Sequence, residues 1–309
     1  MRNGLLFERT MNIRSSLRRL SWIALAVLVA WLGASFAFAW RITRRGKAPY
    51  VEALPTKFAG VVEELRLYTS DGEELGAWFV DASAVDAPSV ILLHGLGGAR
   101  SARLGAASIF RERGCATLLV TLRAHGDSTG ERQDFGWSSR HDVVAAVEWL
   151  EQRRPGAKIV VSAASLGAAA TVFAGGELGE RVSGYELECM YRDLDTAARN
   201  RCETALPAPL GWIAFEGLRL ASDMILPDHE RIAPVEAIGA LPHSAPILLL
   251  AGSADHSATI EEQRALFERV REHAELTVIA NAPHDRLQGA DPVAYRAALL
   301  AWLERTLTH

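Results

Sequence analysis

Apolar residues follow two patterns in the body of this chain. From Val61 onward, short continuous apolar runs alternate with segments in which apolar residues recur every three or four positions. Continuous runs of about four to eight residues are typical of strands buried on both faces of a parallel sheet, and the longer period is typical of covering helices. The pattern therefore predicts an α/β domain over residues 61–309.

The same pattern places the individual elements. Val61–Thr69 and Glu74–Val80 are β-rich and separated by a turn signal, which predicts an antiparallel pair at the start of the sheet. The predicted buried strands are Ser89–Leu93, Cys115–Leu122, Lys158–Ala163, Val182–Leu187, Pro246–Ala251 and Leu276–Ala280. Helices are predicted over Ala102–Arg113, over Arg140–Arg153 and from Pro292 towards the C-terminus. Ser139 and Asp142 have the spacing of a capping box before the second of these helices.

The strand–helix alternation lapses between Glu188 and Pro246. This segment is rich in large apolar residues and reads as short helices, so we predict a small helical cap insertion at about residues 189–245. Its apolar side chains favour a hydrophobic binding cleft for an acyl or otherwise lipophilic ester. The alternative is that they only cover the edge of the sheet.

A different kind of segment precedes the body. Leu20 to Trp40 contains no charged residue, and as a helix it would span about 30 Å, the thickness of the hydrocarbon core of a bilayer. We predict a transmembrane helix over about residues 20–40 within an N-terminal region of residues 1–47, with the lipid bilayer as its partner. A linker over residues 48–60, which contains Pro49 and Pro55, would join it to the body.

The alternative for this segment is a signal peptide and a secreted body. Ala37-Phe38-Ala39 has the small-x-small form of a cleavage site, so cleavage would occur near Ala39. The apolar stretch is long for a signal peptide, which favours an uncleaved anchor.

Charge is distributed unevenly along the chain. Residues 1–47 hold nine Lys and Arg and one acidic residue, Glu8, so they carry +8; the remaining residues must carry −12 to give the net charge of −4. An acidic body argues against nucleic acid as a partner. Basic residues flank the apolar segment almost equally, and on this count we place the N-terminus inside and the body on the extracytoplasmic side.

Cysteine and histidine usage bears on metals and disulfides. The three cysteines, Cys115, Cys189 and Cys202, have no metal-ligand spacing, and neither do the histidines, so we predict no metal and no cofactor. A disulfide between Cys189 and Cys202 is one interpretation. Buried free thiols are the favoured one, because free cysteine commonly behaves as a small hydrophobic residue.

Candidate chemistry lies just beyond the ends of three predicted strands. Ser165 stands where Lys158–Ala163 breaks into a small-residue helix, a turn that exposes a serine hydroxyl. Serine is a poor nucleophile that needs a base, and the base needs an orienting acid. Asp255 and His284 follow the next two predicted strands and so meet Ser165 at one edge of the sheet. We predict Ser165 as nucleophile, His284 as general base and Asp255 as orienting acid.

Each assignment has an alternative. Ser165 could serve only as the N-cap of the following helix. Asp255 could be only a turn residue, with Asp285 or Glu188 taking the place of the acid. The chain order of serine, aspartate and histidine, each after a buried strand, favours the catalytic interpretation.

Five motifs in this order resemble the α/β-hydrolase superfamily over Val61–Leu307. They are His94-Gly95, Arg123-x-His125-Gly126-x-Ser128, Ser165-x-Gly167, Gly252-x-x-Asp255 and His284. The branch most similar is that of serine hydrolases related to prolyl oligopeptidases, dienelactone hydrolases and bacterial membrane-associated esterases. The resemblance implies an oxyanion hole formed by the backbone N–H groups of Leu96 and Leu166, with structural roles for His94 and His125. Ala163 departs from the usual glycine of the serine motif.

These patterns together lead to one functional expectation. The chain is expected to be a membrane-tethered serine hydrolase that cleaves carboxylic esters through an acyl-enzyme on Ser165, with a small-molecule ester or acyl substrate as its partner. Two alternatives remain at this level: a serine peptidase of the oligopeptidase type, and a catalytically idle hydrolase fold that acts as a tethered binding protein.

Overall fold

The computed structural model describes residues 2–54, 62–226 and 229–308, with side chains from Ser16 onward. The second half of the predicted linker, including Pro55 and Gly60, lies outside the described residues, as does Val61 at the start of the first predicted strand.

A single eight-stranded sheet forms the centre of the body. Its strands are β1 (Glu63–Tyr68), β2 (Glu74–Val80), β3 (Ser89–Leu93), β4 (Ala116–Val120), β5 (Ile159–Ala164), β6 (Gly184–Glu188), β7 (Ile247–Gly252) and β8 (Ala274–Ile279). The spatial order is β1-β2-β4-β3-β5-β6-β7-β8. β2 pairs antiparallel with β1 and with β4, and all other neighbours are parallel. The predicted mostly parallel sheet with an antiparallel start is therefore confirmed.

The strand order creates a crevice in the middle of the sheet. The chain leaves β3 on one side to form β4 and then crosses to the other side to form β5, so the loops after β3 and β5 diverge. Ligands of open α/β sheets bind at such a switch point, beyond the carboxyl ends of the strands. The loops after β7 and β8 open at the same edge because these strands are parallel to β5 and β6.

Helices flank the sheet and also form the cap and the N-terminal segment. They are α1 (Arg2–Ile42), α2 (Leu104–Glu112), α3 (Arg140–Arg153), α4 (Leu166–Leu178), α5 (Leu194–Ala205), α6 (Leu210–Ile225), α7 (Pro234–Ala237), α8 (Ile260–Val270), α9 (Leu287–Ala290) and α10 (Pro292–Thr308). One core cluster joins α3, α4 and α8 to one face of the sheet, and another joins α2 and α10 to the opposite face. The segment predicted as a cap insertion contains α5, α6 and α7.

Two predicted elements differ from the observed ones, one in its burial and the other in the type of its first helical turn. β8 is half-exposed rather than buried on both faces, because it is the last strand of the sheet and has a neighbour on one side only. The helix predicted over Ala102–Arg113 begins as a 3₁₀ turn at Arg100–Arg103 and becomes α-helical at Leu104.

The predicted capping box of α3 is wrong. Ser139 makes no side-chain cap hydrogen bond, and the Asp142 carboxylate instead accepts hydrogen bonds from the backbone N–H (2.9 Å) and Nε (2.8 Å) of Arg123. Burial raises the pKa of Asp142 to about 6, and the Arg123 guanidinium opposes this effect. A buried cation from another loop attracts the carboxylate more strongly than one helix terminus does.

Among the described residues, one helix segment is long and apolar enough to cross a membrane. It covers Ser16–Ile42 of α1, with a mean hydropathy of 2.1, and the body buries only 11% of its most apolar window. α1 packs along α6: the Trp31 indole N–H donates to the Ile213 carbonyl (3.2 Å), and Ala39 lies in a cluster with Leu218.

The chain after α1 also lies against the body. The backbone N–H of Arg45 donates to the Glu131 carbonyl (3.0 Å), and that of Tyr50 donates to the Gly126 carbonyl (3.1 Å). The Glu52 carboxylate accepts a hydrogen bond from the Ser101 N–H (2.9 Å). The described part of the predicted linker is therefore held in place up to Leu54.

Candidate active site

Ser165 lies in a strained turn between β5 and α4. Its backbone has φ 47° and ψ −105°, a left-handed conformation that costs a non-glycine residue about 1–3 kcal/mol. Hydrogen bonds hold it on both sides: the Ser165 N–H donates to the Glu188 carbonyl (2.8 Å), and the Ala169 N–H donates to the Ser165 carbonyl (3.0 Å). The turn keeps the hydroxyl half-exposed at the crevice.

Small residues let β3 and α4 approach each other beside this turn. A Cβ at Gly167 would lie 2.7 Å from the Leu93 Cβ and 2.9 Å from the His94 carbonyl oxygen, closer than packing allows. Ala163, which replaces the more usual glycine two residues before the serine, is fully buried in the core and pairs with Leu93.

Gly167→Ala is expected to push α4 away from β3 and to lower the free energy of unfolding by about 1–3 kcal/mol, because the added methyl overpacks the core. Gly176→Ala in the same helix is the matched control: its Cβ would meet nothing within 4 Å, so we expect a gain of up to about 1 kcal/mol. Urea unfolding of both variants measures the difference. Equal stability of the two variants would show that the close approach at Gly167 does not constrain the helix.

The three predicted side chains form one hydrogen-bonded chain. The Ser165 hydroxyl lies 3.0 Å from His284 Nε2, and His284 Nδ1 lies 2.8 Å from Asp255 Oδ2. The Asp255 side chain is fully buried, whereas that of His284 is about one quarter exposed. With its proton on Nδ1, the imidazole presents a free acceptor to the serine hydroxyl, which is the arrangement that nucleophilic serine requires.

Asp255 is held as a carboxylate. Its Oδ1 accepts hydrogen bonds from the backbone N–H groups of Ser257 (2.8 Å) and Ala258 (2.9 Å), and its Oδ2 faces His284. Burial alone would raise its pKa, but His284 and the two backbone donors outweigh burial and lower the pKa below its ordinary value. The group that orients the imidazole therefore stays ionised at neutral pH.

The two alternative acids lie elsewhere. Glu188 accepts hydrogen bonds from Arg103 (2.7 Å) and from the Tyr295 hydroxyl (2.5 Å), in a buried network. Asp285 is exposed and lies 3.9 Å from its neighbour Arg286. Asp255 is thus the acid that contacts the His284 ring.

Cys189 lies beside the triad, a position that the sequence pattern did not indicate. Donor atoms of Cys189, Asp255 and His284 fall within 4.8 Å of one another, a spacing that a small metal site would also show. Here the Asp255 oxygens already accept three hydrogen bonds, so hydrogen bonding accounts for the cluster. Burial, followed by the charge of Asp255, raises the pKa of the Cys189 thiol well above its ordinary value. Cys189, Cys115 and Cys202 are all free thiols.

The loop after β3 lies against the serine. A Cβ at Gly95 would be 3.4 Å from the Ser165 Cβ, so the backbone of this loop passes directly over the turn. Leu96 follows in this loop, and Leu166 is the first residue of α4. No acceptor among the described residues takes the N–H of either one. The oxyanion hole therefore stays a prediction, with two N–H groups that no backbone carbonyl of the described residues accepts.

His94 and His125 brace this loop. His94 Nδ1 lies 2.8 Å from the Gly95 carbonyl, and its Nε2 accepts the Leu122 N–H (3.0 Å). His125 Nε2 accepts the Gly97 N–H (3.1 Å). Burial lowers the pKa of His94 to about 3, with a smaller contribution from nearby His125. Both neutral rings hold the loop in place by hydrogen bonds, which fits the structural roles predicted for them.

The neutral state of His94 predicts a pH dependence of stability. Its pKa falls from 6.5 in the unfolded chain to about 3 in the fold, so between these values the unfolded chain binds a proton that the folded chain does not. Protonation of His94 therefore leaves the free energy of unfolding unchanged above about pH 6.5 and lowers it as the pH decreases towards 3. From about pH 7.5 to about pH 5 the wild type should lose about 2 kcal/mol more than His94→Gln.

Urea unfolding at the two pH values, monitored by tryptophan fluorescence, measures this difference. His256→Gln removes an exposed histidine and serves as the control, which should follow the wild type. If His94→Gln loses as much stability as the wild type does, the buried ring is not the source of the pH dependence.

A cavity of about 250 Å³ adjoins this loop. The oxyanion-loop residues Leu96, Gly97 and Gly98 form one side, and residues at the end of α1, including Arg41 and Ile42, form another. The end of α1 and the chain just after it therefore form part of the surroundings of the crevice, which the sequence pattern did not indicate.

Comparisons with known proteins agree with this architecture. The esterase Pf2001 of Pyrococcus furiosus superposes with a TM-score of 0.69 at 24% identity, over 84% of this chain and 97% of that one. The chain has the α/β-hydrolase fold. The predicted fold class is confirmed, while the more specific branch remains a prediction.

The chain is also similar in sequence to other proteins. An uncharacterised protein of Mycobacterium tuberculosis is 29% identical over 258 residues, which cover 80% of this chain and 82% of that protein. Human protein ABHD12B is 26% identical over 203 residues, 63% of this chain and 53% of the human protein. No family model matches the chain.

Proposed function

We propose that this protein is a membrane-tethered serine hydrolase that cleaves carboxylic esters through an acyl-enzyme on Ser165. The observation that carries the proposal is the chain of hydrogen bonds from the Ser165 hydroxyl through His284 to Asp255, at 3.0 and 2.8 Å. A similar fold in an esterase, that of Pyrococcus furiosus, supports ester chemistry.

The mechanism follows from the positions of these groups. His284 Nε2 accepts the proton of Ser165 as the hydroxyl oxygen attacks the ester carbonyl, and Asp255 stabilises the imidazolium that forms. The N–H groups of Leu96 and Leu166 stabilise the oxyanion, and the positive end of the α4 dipole adds to this effect. His284 then returns the proton to the leaving alcohol, and water attacks the acyl-enzyme in a second cycle of the same steps.

Membrane tethering is part of the proposal and rests on α1. The segment Ser16–Ile42 has the length and composition of a span. Its C-terminal half packs against α6 of the body. Cleavage near Ala39 would remove the partner of Leu218 on α6 and expose that apolar cluster. This packing supports an uncleaved anchor over a signal peptide.

A paired-substrate assay tests the ester proposal. The full-length protein in detergent is given p-nitrophenyl butyrate and butyryl p-nitroanilide, which share an acyl group and a chromophore. We expect hydrolysis of the ester with a burst of p-nitrophenol, and much slower hydrolysis of the anilide. Faster turnover of the anilide would favour a peptidase, and inertness towards both substrates would favour a binding protein.

A further inference from the structure

The tip of the cap carries an uncharged apolar surface. From Thr204 to Phe215 the sequence TALPAPLGWIAF contains no Asp, Glu, Lys or Arg, and it forms the turn from α5 into α6. Four of its large side chains are exposed by 38–57%: Leu206, Leu210, Trp212 and Ile213. We call residues 204–215 the cap tip. Such a concentration of exposed apolar side chains marks an interaction surface.

The cap tip lies beside the apolar part of α1. α1 and α6 run side by side in the same direction, because Trp31 contacts Ile213 near the start of α6, whereas Ala39 packs further along it. A side chain at Gly217 would collide with Ser35, so the two backbones approach closely between these contacts. This packing fixes the position of the cap tip along α1.

The depth of the cap tip in the bilayer follows from the position of α6 along α1. At 1.5 Å per residue, Trp31 lies about 16 Å along α1 from Ile42, roughly half the 30 Å of a bilayer core. Leu206 and Leu210 come before Ile213 in the chain. They therefore lie further from Ile42, measured along α1, than the contact between Trp31 and Ile213 does. On α6 the nearest charged residues, Glu216 and Arg219, pair with each other (3.0 Å) nearer the body. On α5 the exposed Glu203 borders the tip beside Gly211.

We propose that the cap tip inserts into the same bilayer leaflet as the C-terminal half of α1, with lipid acyl chains as its partner. The inference rests on the proposed membrane placement of α1. Lipid is the occupant because the apolar surface of the tip is continuous with that of a helix whose own exposed faces require the same environment. The Glu216–Arg219 pair would then lie between the cap tip and the headgroups.

This placement connects the bilayer to the active site. Midway along α5, the Asn200 side chain donates to the Ser257 carbonyl (3.3 Å), in the loop whose backbone holds Asp255. The cap hairpin thus runs from the proposed lipid surface to the triad. A lipophilic ester would reach the crevice along α5 and α6 without first entering bulk water.

Spin labelling of the full-length protein in phosphatidylcholine vesicles tests the inference. Leu210→Cys carries the label on the cap tip, in a Cys202→Ser background whose remaining cysteines are buried. Val27→Cys on α1 and Val293→Cys on α10 are matched positions, exposed by 64% and 79%. Accessibility to oxygen, which concentrates in lipid, is compared with accessibility to a water-soluble nickel complex.

We expect oxygen accessibility to exceed nickel accessibility at Val27→Cys and Leu210→Cys, and the reverse at Val293→Cys. A lipid signal at Val27→Cys with a water signal at Leu210→Cys would overturn the inference and leave the tether intact. Protection of Leu210→Cys from both reagents would indicate a protein contact such as a second copy, and would also overturn it. A water signal at Val27→Cys would refute the tether and the inference together.

Discussion

Ser165→Ala is expected to lower kcat for ester hydrolysis by about a million-fold, because it removes the atom that forms the acyl-enzyme. The loss of one oxygen from a half-exposed turn leaves the hydrogen bonds of the Ser165 backbone to Glu188 and Ala169 unchanged. We therefore expect the thermal unfolding midpoint to stay close to that of the wild type. Steady-state hydrolysis of p-nitrophenyl butyrate measures the effect.

Ser70→Ala is the control for this variant. Ser70 is exposed and lies 3.4 Å from the His141 ring, on the turn between β1 and β2. The control should hydrolyse the ester at the rate of the wild type. A Ser165→Ala protein that folds and retains a substantial fraction of wild-type turnover would rule out Ser165 as the nucleophile.

Asp255→Asn is expected to lower kcat by about ten-thousand-fold with little change in the fold. The N–H groups of Ser257 and Ala258 both donate to Oδ1 and will retain the amide oxygen there, so the amide NH₂ turns towards His284. Nδ1 must then accept a hydrogen bond, which moves the ring proton to Nε2. His284 can no longer take the proton of Ser165.

Asp285→Asn is the matched control, since it makes the same change on the exposed residue next to His284. We expect it to retain wild-type turnover. Comparable losses in the two variants, or full activity in Asp255→Asn, would mean that Asp255 does not orient the base. Measurements of kcat with p-nitrophenyl butyrate decide between these outcomes.

The sequence pattern predicted the parts of the fold that depend on local burial. Continuous apolar runs such as Ser89–Leu93 and Pro246–Ala251 correspond to β3 and β7, because a strand covered on both faces admits few polar side chains. Chain order then predicted which loops share an edge. The structure brings Ser165, Asp255 and His284 together at that edge, although their spacing in the sequence is wide.

Features set by contacts distant in sequence were not predicted. The spacing of Ser139 and Asp142 matches a capping box, but the partner of Asp142 is Arg123 on another loop, and no local pattern distinguishes these partners. The packing of Trp31 on Ile213 joins residues separated by most of the chain. Apolar composition alone indicates that α1 and α6 each have an apolar face. It does not indicate which element each face packs against.

The most direct test of the central claim is covalent labelling of the full-length protein with a fluorophosphonate probe, followed by mass spectrometry of the digested protein. The probe reacts with a serine hydroxyl only where a base and an oxyanion site activate it. We predict a single adduct on the peptide that contains Ser165, with none in Ser165→Ala. An unlabelled wild-type protein, or an adduct on a different serine, would contradict the account.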